Sequence, residues 1–525
     1  MIDSVLDGRD TLAIMPTGAG KSLCYQIPAR LLDGTTVVVS PLISLMKDQL
    51  EKLEALGIRA TQVNSSLSRE EETQAIEGIR NTVHEIVFCT PERLSSPDFL
   101  AELRKIRVAL VVIDEAHCIS HWGHDFRPAY LELAGAIDAL GKPPVLALTA
   151  TATEDVVADI ARQLGRPRMQ VVNTGIYRPN LHYRVVQVTS NEERYARALE
   201  LVRAAQGVGI VYTATVKAAE EMLQVLQDGG ESATLYHGKL AAAERKASQD
   251  QFMAGERRVM VATNAFGMGI DKPDTRFVIH LQIPANLEAY YQESGRAGRD
   301  GQDAECTLLH FHDDKRLQQF FLVRHYPGAN DLTMLHQLVC GLAAEGSVPG
   351  SRIAQAAPEL AASTLKVCLK LLKDGKLLRQ NRKLEYLPGS AKSNADLFEQ
   401  LAQVYARKQE RDREALEQMV AYAVSGFCRW RVLLDYFADD TPGFEKCCRC
   451  DNCLNPPQVA QIEIRDDEFE RAAPAPSGPQ FAPGAKVRVP KFDIGSVVGV
   501  AGDQVTIVFP DASTRTFLAD FVEAV

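Results

Sequence analysis

Short apolar runs alternate with helix-length amphipathic segments along the first 180 or so residues. Four runs have the length and composition of buried strands: Val37–Ser40, Ile86–Cys89, Leu110–Ile113 and Val145–Leu148. Apolar strands that alternate with helices indicate a parallel sheet built of βαβ units, because helices then cover both faces of the sheet. The alternation resumes between residues 207 and 311, in Gly209–Tyr212, Val259–Ala262, Phe277–His280 and Thr307–His310. We therefore predict two α/β domains, over residues 1–180 and 181–330, joined near Tyr177–Gln187, where Arg178–Asn180 interrupts the pattern.

The pattern changes after residue 331. Three helices and a strand pair are predicted at Leu332–Cys340, Ser351–Gln355, Ala362–Leu372, Leu377–Arg379 and Lys383–Tyr386. This order indicates a winged-helix-like domain over residues 331–390. Residues 360–386 hold seven Lys or Arg and two acids, a local charge of +5 that suits duplex phosphates. The alternative is a solvated basic face on a domain that serves packing.

The rest of the chain divides into three segments. Residues 391–456 contain a charged helical stretch around Lys408–Glu414 and then a cysteine-rich stretch, and we expect a helical hairpin with a metal module there. Residues 457–482 form a linker marked by the Pro/Ala/Gly run Ala473–Pro479. Residues 483–525 alternate apolar and polar positions between glycines, which predicts a small antiparallel β module.

Composition and charge narrow the class of protein. The 525 residues are 46% hydrophobic and 24% charged, as in ordinary globular proteins. Apolar stretches fall short of the about 18 residues that span a bilayer, and the first ten residues lack the apolar segment of a secretion signal. We therefore expect a cytoplasmic protein with no membrane partner. The net charge of −10 by itself gives no support to a nucleic-acid partner.

A glycine-rich segment follows the strand-like Thr11–Ile14 and precedes an apolar helix. Its residues Thr17, Gly18, Ala19, Gly20, Lys21 and Ser22 are the candidate ATP-binding residues. Gly18 and Gly20 allow backbone N–H groups to surround a phosphate, and the helix N-terminus adds its positive dipole end. Lys21 would contact the terminal phosphates, and Ser22 would bind Mg²⁺. The alternative is a glycine turn that binds nothing; Met15 stands where the general P-loop pattern has Gly.

Two acids follow the run Leu110–Ile113. Because the carboxyl ends of parallel strands meet at one edge of a sheet, Asp114 and Glu115 would face the glycine-rich loop. Asp114 is placed to bind Mg²⁺ together with Ser22. Glu115 is placed to orient the attacking water of phosphoryl transfer. Acids after a strand are usually plain loop residues, but together with the loop they indicate an ATPase site.

An ordered series of motifs resembles superfamily 2 helicases and, more narrowly, the RecQ family. The matching segments are Thr17–Ser22 (motif I), Pro41–Gln49 (Ia), Thr90–Arg93 (Ib), Asp114–His117 (II), Thr149–Thr151 (III), Ala262–Asp271 (V) and Gln292–Arg299 (VI). The resemblance runs from residue 1 to about 315 and again over 428–453. It implies two RecA-like domains and an ATP-dependent DNA helicase that moves 3′→5′ and acts in DNA repair and recombination.

Motif VI brings arginines from the second domain. Arg296 and Arg299 are candidate catalytic residues with Lys21, Asp114 and Glu115, and resemblance to the family favours Arg299 as the arginine finger. Such an arginine reaches the γ-phosphate only when the two domains close, which couples nucleotide state to domain position. The resemblance adds Gln292 to the ATP-binding residues. In isolation, arginine pairs are often solvated surface residues.

The segment directly after motif II is rich in aromatic residues. We expect His121, Trp122, Phe126 and Arg127 to bind DNA, by stacking on bases and by one phosphate contact. RecQ-like proteins carry an aromatic-rich loop at this position, so bound DNA would signal directly to Glu115. The alternative is that Trp122 belongs to the core.

Five of the 11 cysteines lie together near residue 450. Cys428, Cys447, Cys450 and Cys453 have the spacing C-x₁₈-C-x₂-C-x₂-C, and four thiolates satisfy tetrahedral Zn²⁺ at a structural site. The RecQ zinc module has a similar order of cysteines. Cys448 in place of Cys447, an iron–sulfur cluster and a set of disulfides are the alternatives.

The family resemblance also sets expectations for partners. RecQ-like helicases carry an aromatic/Gln motif ahead of motif I that recognises adenine. This sequence starts after it, through truncation, a misassigned start or genuine loss, so we expect weak discrimination between bases. Single-stranded and duplex DNA are the expected partners, at the chromosome. The C-terminal module resembles the SH3/Tudor-like β-barrel of some other DNA helicases. Residues 454–525 carry a charge of −4, which favours a protein partner there. An RNA helicase and a non-catalytic DNA-binding scaffold are the rival functions.

Overall fold

The computed structural model describes residues 1–120, 127–267, 272–323, 328–360, 362–381, 385–391, 393, 395–456, 481–489, 494–501, 504–510, 514–519 and 522–524. These residues fall into two units, Met1–Pro457 and Gln458–Val525. The first unit contains both α/β domains, which we call the first and second lobes, and all of the candidate ATP and metal residues. Each unit is described by itself.

The first lobe is a seven-stranded sheet in which every neighbouring pair is parallel, in the order β3-β4-β2-β5-β6-β1-β7. Its strands are β1 Thr11–Ile14, β2 Thr35–Val39, β3 Ala60–Val63, β4 Ile86–Cys89, β5 Val108–Ile113, β6 Val145–Thr149 and β7 Gln170–Asn173. Its helices are α1 Ile2–Leu6, α2 Leu23–Leu31, α3 Ile43–Ala55, α4 Arg69–Arg80, α5 Pro91–Leu94, α6 Pro97–Leu103, α7 Leu133–Ala139 and α8 Glu154–Gln163, with 3₁₀ turns at Ala116–Ile119 and Pro128–Glu132.

Both faces of this sheet are covered, as the continuous apolar strands predict. Alternate residues of β2 show the division, because Val37 and Val39 belong to one hydrophobic cluster and Val38 to the other. Buried polar residues also lie near the strand ends, among them Thr11, Thr36 and Ser40. The predicted strand runs are confirmed, whereas the short strands β3 and β7 lack a distinctive apolar run and the periodicity did not predict them.

The second lobe repeats the plan with six parallel strands in the order β10-β11-β9-β12-β13-β8. Its strands are β8 Leu181–Gln187, β9 Val208–Tyr212, β10 Ala233–Tyr236, β11 Val259–Ala262, β12 Thr275–His280 and β13 Ala304–His310. Its helices are α9 Asn191–Ala204, α10 Val216–Asp228, α11 Ala242–Met253, α12 Leu287–Ser294 and α13 Asp314–Val323.

We predicted a join between the lobes over Tyr177–Gln187, and the segment that connects them in the structure is shorter. Residues 181–187 form β8, which pairs along its whole length with β13. The pattern obscured this edge strand because polar His182, Arg184 and Gln187 alternate with apolar positions in it. The connecting segment therefore ends at Asn180.

Residues 329–388 form the winged-helix-like segment. It consists of α14 Ala329–Leu342, a 3₁₀ turn at Ala343–Glu345, α15 Gly350–Ala356, α16 Ala362–Asp374 and the antiparallel pair β14 Leu378–Gln380 and β15 Tyr386–Pro388, around a hydrophobic cluster of its own. The second strand differs from the prediction at Lys383–Tyr386, because Tyr386 opens the pairing by facing Gln380 and bridging to Val348. Residues 382–384 lie outside the described part of the chain.

The cysteine-rich segment is part of the core of the second lobe. The long helix α17 Ala395–Val424 leads to α18 Arg429–Tyr436 and α19 Asp451–Leu454. Tyr422 and Trp430 are buried in the same hydrophobic cluster as Tyr183 and Tyr290 of the second lobe. The metal module therefore does not fold around a core of its own, and it reinforces the lobe that carries motif VI.

The second unit is a five-stranded antiparallel sheet in the order β19-β18-β17-β16-β20. Its strands are β16 Lys486–Arg488, β17 Ile494–Ala501, β18 Gln504–Val508, β19 Thr514–Leu518 and β20 Glu523–Ala524. The alternation in the sequence predicted this small β module, and Val497, Val505 and Ile507 form its core. Among the described residues of the whole chain, the helices are too short or too polar to cross a bilayer.

Candidate active site and metal centre

The glycine-rich loop leaves the carboxyl end of β1 and returns into α2. Gly18 and Gly20 have φ values of +87° and +81°, which side chains other than glycine rarely adopt. A Cβ atom at Gly18 would stand 3.6 Å from the side chain of Arg299, so motif VI lies directly beside the loop. The Lys21 amine donates to the Met15 carbonyl oxygen at 3.5 Å. The loop thus presents backbone N–H groups and one ammonium to the same space.

Asp114 and Glu115 stand at the carboxyl end of β5. The Asp114 N–H donates to the Val39 carbonyl oxygen at 2.9 Å, and its carboxylate accepts from the Glu115 N–H at 3.0 Å. Burial and the neighbouring Glu115 carboxylate raise the pKa of Asp114 to about 7, against the opposing effect of Lys21. Two crowded carboxylates next to a phosphate loop fit a divalent cation, because its charge relieves their repulsion.

Glu115 has a left-handed backbone, with φ at +50°. Strained residues of this kind persist where the surrounding structure holds them, and they cluster at functional sites. Its Oε2 atom lies 3.4 Å from Nδ1 of His117, and that nitrogen lies 3.1 Å from Oγ1 of Thr149. Thr149 in turn donates to the Thr151 carbonyl oxygen at 2.9 Å. Motifs II and III are therefore joined by one buried chain of polar groups.

A cavity of about 320 Å³ brings the candidate ATP residues of both lobes together. From the first lobe it is lined by Thr17, Gly18, Gly20, Lys21, Ser22, Asp114 and Glu115, and from the second by Gln292, Arg296 and Arg299. Ala19 is exposed on the loop outside this lining. Ser22 and Gln292 are 270 residues apart in the chain and yet face one space, which no local pattern could establish.

Part of this lining carries no distinctive signal in the sequence. The additional residues are Tyr25, Val38, Ser40, Leu45, Met46, Gln49, Phe88, Leu148, Ala150 and Pro273. Most of them are apolar strand and helix positions that carry an ordinary core pattern. Gln49 had a usable signal, since it ends the segment resembling motif Ia.

The two motif VI arginines lie in different surroundings. Arg296 is 4% exposed, and its guanidinium is a hydrogen-bond partner of the Tyr212 hydroxyl, whose pKa is raised by burial. The Tyr212 hydroxyl also donates to the Phe266 carbonyl oxygen at 2.8 Å, within motif V. Arg299 instead packs along the phosphate loop at Gly18. Arg296 is thus tied to motif V, and Arg299 is the arginine next to the loop.

The aromatic-rich segment is described only at its ends. The predicted DNA residues His121, Trp122 and Phe126 lie outside the described residues. At one end, the buried Ser120 hydroxyl donates to the Asp159 carboxylate at 2.7 Å. At the other, Arg127 donates from its backbone to the Cys118 carbonyl oxygen at 3.0 Å and from its guanidinium to the Pro41 carbonyl oxygen at 3.1 Å. The two ends are therefore anchored to neighbours of the ATP site, namely motif Ia and the helix after motif III.

Four sulfur atoms gather in the metal module. Those of Cys428, Cys447, Cys450 and Cys453 all lie within 4.8 Å of one another, and the Cys447 and Cys453 sulfurs are 3.9 Å apart. Tetrahedral Zn²⁺ with its usual Zn–S bonds would separate sulfurs by roughly 3.8 Å, so the cluster has the size for that ion. Cys448 is exposed with φ at +57° and lies outside the cluster, so Cys447 supplies the thiol.

The sulfurs of this cluster also accept hydrogen bonds from the backbone, which favour the thiolate form that binds a cation. Backbone N–H groups donate to the sulfurs of Cys428, Cys447 and Cys450 at 3.2–3.4 Å. Hydrogen bonds from Cys447 and Cys450 lower the pKa of Cys428, while the bond to Cys428 raises the pKa of Cys450. A central cation would favour the thiolate form of all four cysteines.

Purified protein should release about one zinc ion per chain on denaturation, and Cys450→Ser should release much less. The side chain of Cys450 is fully buried, and the module shares its core with the second lobe, so we also expect the melting temperature to fall by at least about 5 °C. Metal analysis and thermal unfolding measure both. Cys448→Ser is the matched control and should keep its zinc. A coloured protein that contains iron, or equal loss of metal in both variants, would contradict the assignment.

Three family models match the chain. The model described as DEAD/DEAH box helicase matches residues 1–160, and that described as helicase conserved C-terminal domain matches residues 193–301. The third, described as RecQ zinc-binding, matches residues 391–454, which contain the four clustered cysteines. The module is therefore a zinc site, which resolves the choice between zinc and an iron–sulfur cluster.

Relatives and solved structures agree with these matches. The ATP-dependent DNA helicase RecQ of Bacillus subtilis (strain 168) is 47% identical over 335 residues, which make up 63% of this chain and 56% of that protein. The protein of that description from Synechocystis sp. is 33% identical over 473 residues, 86% of this chain and 94% of that protein. The chain thus spans little more than half the length of the Bacillus relative. The structure of Mycobacterium smegmatis helicase Lhr bound to ssDNA and AMP-PNP has a TM-score of 0.50 at 22% identity, covers 74% of this chain and 57% of its own, and shows the fold alone.

Proposed function

This chain belongs to the RecQ family, and we propose that it is an ATP-dependent DNA helicase that couples ATP hydrolysis to 3′→5′ movement along DNA and to duplex unwinding in repair and recombination. One observation carries the proposal. The phosphate loop and the acids of motif II line the same cavity as the motif VI arginines, which come from the other lobe. A site divided in this way makes hydrolysis depend on how the lobes stand relative to each other.

The residues of motifs I, II and VI that line the cavity each have a role in phosphoryl transfer. The N–H groups around Gly18 and Gly20 would bind phosphate oxygens, and Lys21 would meet the terminal phosphates. Ser22 and Asp114 would hold Mg²⁺, which when bound neutralises developing charge on the phosphates. Glu115 would orient the attacking water, and the buried contact to His117 holds its carboxylate in place. Arg299 would stabilise the transferred phosphoryl group, with Gln292 and Arg296 beside it.

DNA would act on this site through the aromatic-rich loop. The loop begins three residues after His117, and its ends are tied to motif Ia and to α8. A strand stacked on His121, Trp122 and Phe126, with Arg127 at a phosphate, would therefore pull on groups that contact Glu115. We also propose that the basic winged-helix-like segment binds the part of the DNA that is still duplex, ahead of the single strand held by the loop.

Trp122→Ala should abolish the stimulation of ATPase activity by single-stranded DNA and leave the DNA-free rate unchanged. Base stacking is worth about 1–3 kcal/mol per base. The variant loses this stacking in the aromatic-rich loop, which would transmit DNA binding to Glu115. Rates of phosphate release with and without oligonucleotide measure the effect. Phe427→Ala, which removes an aromatic side chain that is 75% exposed and lies outside the loop, is the matched control and should retain stimulation. Full stimulation in Trp122→Ala would remove the loop from the coupling path.

Partners and location beyond DNA are also proposals. The second unit exposes Val498 and Val500 on β17, and we propose that it binds a protein. A chromosome-associated place in the cytoplasm follows from DNA as the substrate.

ATPase assays with single-stranded DNA, duplex DNA and RNA test the function as a whole. We expect hydrolysis stimulated by single-stranded DNA more than by RNA, and unwinding of a duplex with a 3′ tail. Greater stimulation by RNA would favour an RNA helicase. Binding to DNA without hydrolysis under any of these conditions would favour a non-catalytic scaffold.

A further inference from the structure

The segment between the two lobes contains a buried arginine that the ATP site does not use. Arg178 is 8% exposed, and its guanidinium donates to the Gly295 carbonyl oxygen at 2.7 Å, to Ala297 at 2.7 Å and to Gly298 at 2.6 Å. These three carbonyls belong to the motif VI turn. Hydrogen bonds from a charged donor are roughly twice as strong as neutral ones, so one side chain holds the turn at three points.

The turn that Arg178 holds is the one that presents Arg296 and Arg299. Its shape leaves little freedom, because Gly298 has φ at +56° and a Cβ atom there would stand 2.5 Å from the Asn180 amide nitrogen. Asn180 donates to the Gly298 carbonyl oxygen at 2.8 Å. Arg178 and Asn180 of the connecting segment thus fix the backbone from which the side chains of Arg296 and Arg299 extend.

The zinc module holds the opposite side of the connecting segment. The ring of Tyr177 lies between Trp430 and Phe444, with centroids 5.0 and 4.8 Å away. The Asp439 carboxylate accepts from the Ile176 N–H at 2.5 Å, and the Trp430 indole donates to the Leu181 carbonyl oxygen at 3.0 Å. The segment is therefore fixed between the zinc module on one side and motif VI on the other.

From these contacts we infer that Arg178 is a positioning residue for the motif VI arginines, and that the zinc module sets its place through Tyr177 and Asp439. The inference rests on the proposed ATPase function. Zinc-dependent structure is then needed for hydrolysis itself, in addition to any role in DNA binding. Arg178 would affect hydrolysis without touching the nucleotide, since it acts only through the backbone carbonyls of the motif VI turn.

Arg178→Gln should lower the kcat of DNA-free ATP hydrolysis by about 10- to 100-fold, because a displacement of about 1 Å at the reacting groups has effects of this size. The KM for ATP should stay within about threefold, since the phosphate loop lies on the other lobe. Arg178→Lys should fall between, because one ammonium cannot reach three carbonyls in the geometry of a guanidinium. Arg184→Gln is the matched control, on the neighbouring strand with a half-exposed side chain, and should match the wild type.

Two further variants separate positioning from general stability. In an Arg299→Ala background, Arg178→Gln should add little to the loss, because both changes remove the same contribution. Asp439→Ala should lower kcat by about 3- to 10-fold at unchanged zinc content, while the exposed neighbour Asp440→Ala should not. If Arg178→Gln does not fold, the kcat values of Asp439→Ala and Arg178→Lys test the positioning role in its place.

The outcomes distinguish this inference from the function on which it rests. An inactive wild-type chain overturns both. An active wild type overturns the inference alone if folded Arg178 variants keep their kcat, if they lose activity only through KM, or if their effects add fully to that of Arg299→Ala. Unchanged kcat in Asp439→Ala overturns the part assigned to the zinc module.

Discussion

Lys21→Ala should lower the kcat of ATP hydrolysis by at least about 100- to 1,000-fold and remove duplex unwinding altogether. Lys21 supplies the ammonium of the phosphate loop, and an aligned cationic donor at a developing phosphate charge contributes on this scale. The fold should not suffer, because the side chain is only partly buried and its hydrogen bond to the Met15 carbonyl oxygen is long, at 3.5 Å. Phosphate release and unwinding of a 3′-tailed duplex measure the effect.

Lys105→Ala is the control for this change. Lys105 is an exposed lysine of the first lobe whose ion pair with Glu102 spans 3.0 Å at the surface, far from the cavity lining. We expect wild-type rates from it. Hydrolysis at the wild-type rate by Lys21→Ala would show that triphosphate is consumed elsewhere on the protein.

Arg299→Ala should lower kcat by about 1,000-fold while ATP binding changes little. Arginine fingers are worth about 10³–10⁵ in rate because they act on charge that develops only in the transition state. Arg299 lies next to Gly18 and lines the shared cavity, whereas Arg296 is buried and hydrogen bonded to Tyr212. We therefore expect Arg296→Ala to lose less, on the order of 10-fold. Steady-state kinetics and binding of a fluorescent ATP analogue separate kcat from affinity.

Arg203→Ala, an exposed arginine of the second lobe that bonds the Gly229 carbonyl oxygen, serves as the control for charge removal. If Arg296→Ala proves the more severe of the two motif VI variants, the assignment of the finger is reversed. If both variants hydrolyse ATP normally, the second lobe takes no part in hydrolysis.

The sequence by itself determined what is local. The buried strands of both lobes follow from continuous apolar runs, and each chemical motif lies within a short stretch whose spacing the chemistry requires. Thr17–Ser22 is contiguous, Asp114 and Glu115 directly follow β5, and three of the four zinc ligands lie within seven residues. In these cases backbone geometry alone brings the side chains together, so the pattern of residues is sufficient.

The tertiary structure decided which distant surfaces meet. Arg178 looked like an interruption between domains, and only packing revealed that it holds the motif VI turn. Likewise, the sequence of β8 mixes polar and apolar residues, and its strand is defined by pairing with β13. The zinc module, too, shares its core with the second lobe, which its sequence does not indicate. Cys447 belongs to the cluster, whereas its neighbour Cys448, with a left-handed backbone, is exposed outside it. Periodicity records which face of an element is apolar, but the partner of that face depends on complementary shapes and free hydrogen-bonding groups, which exist only after the chain has folded.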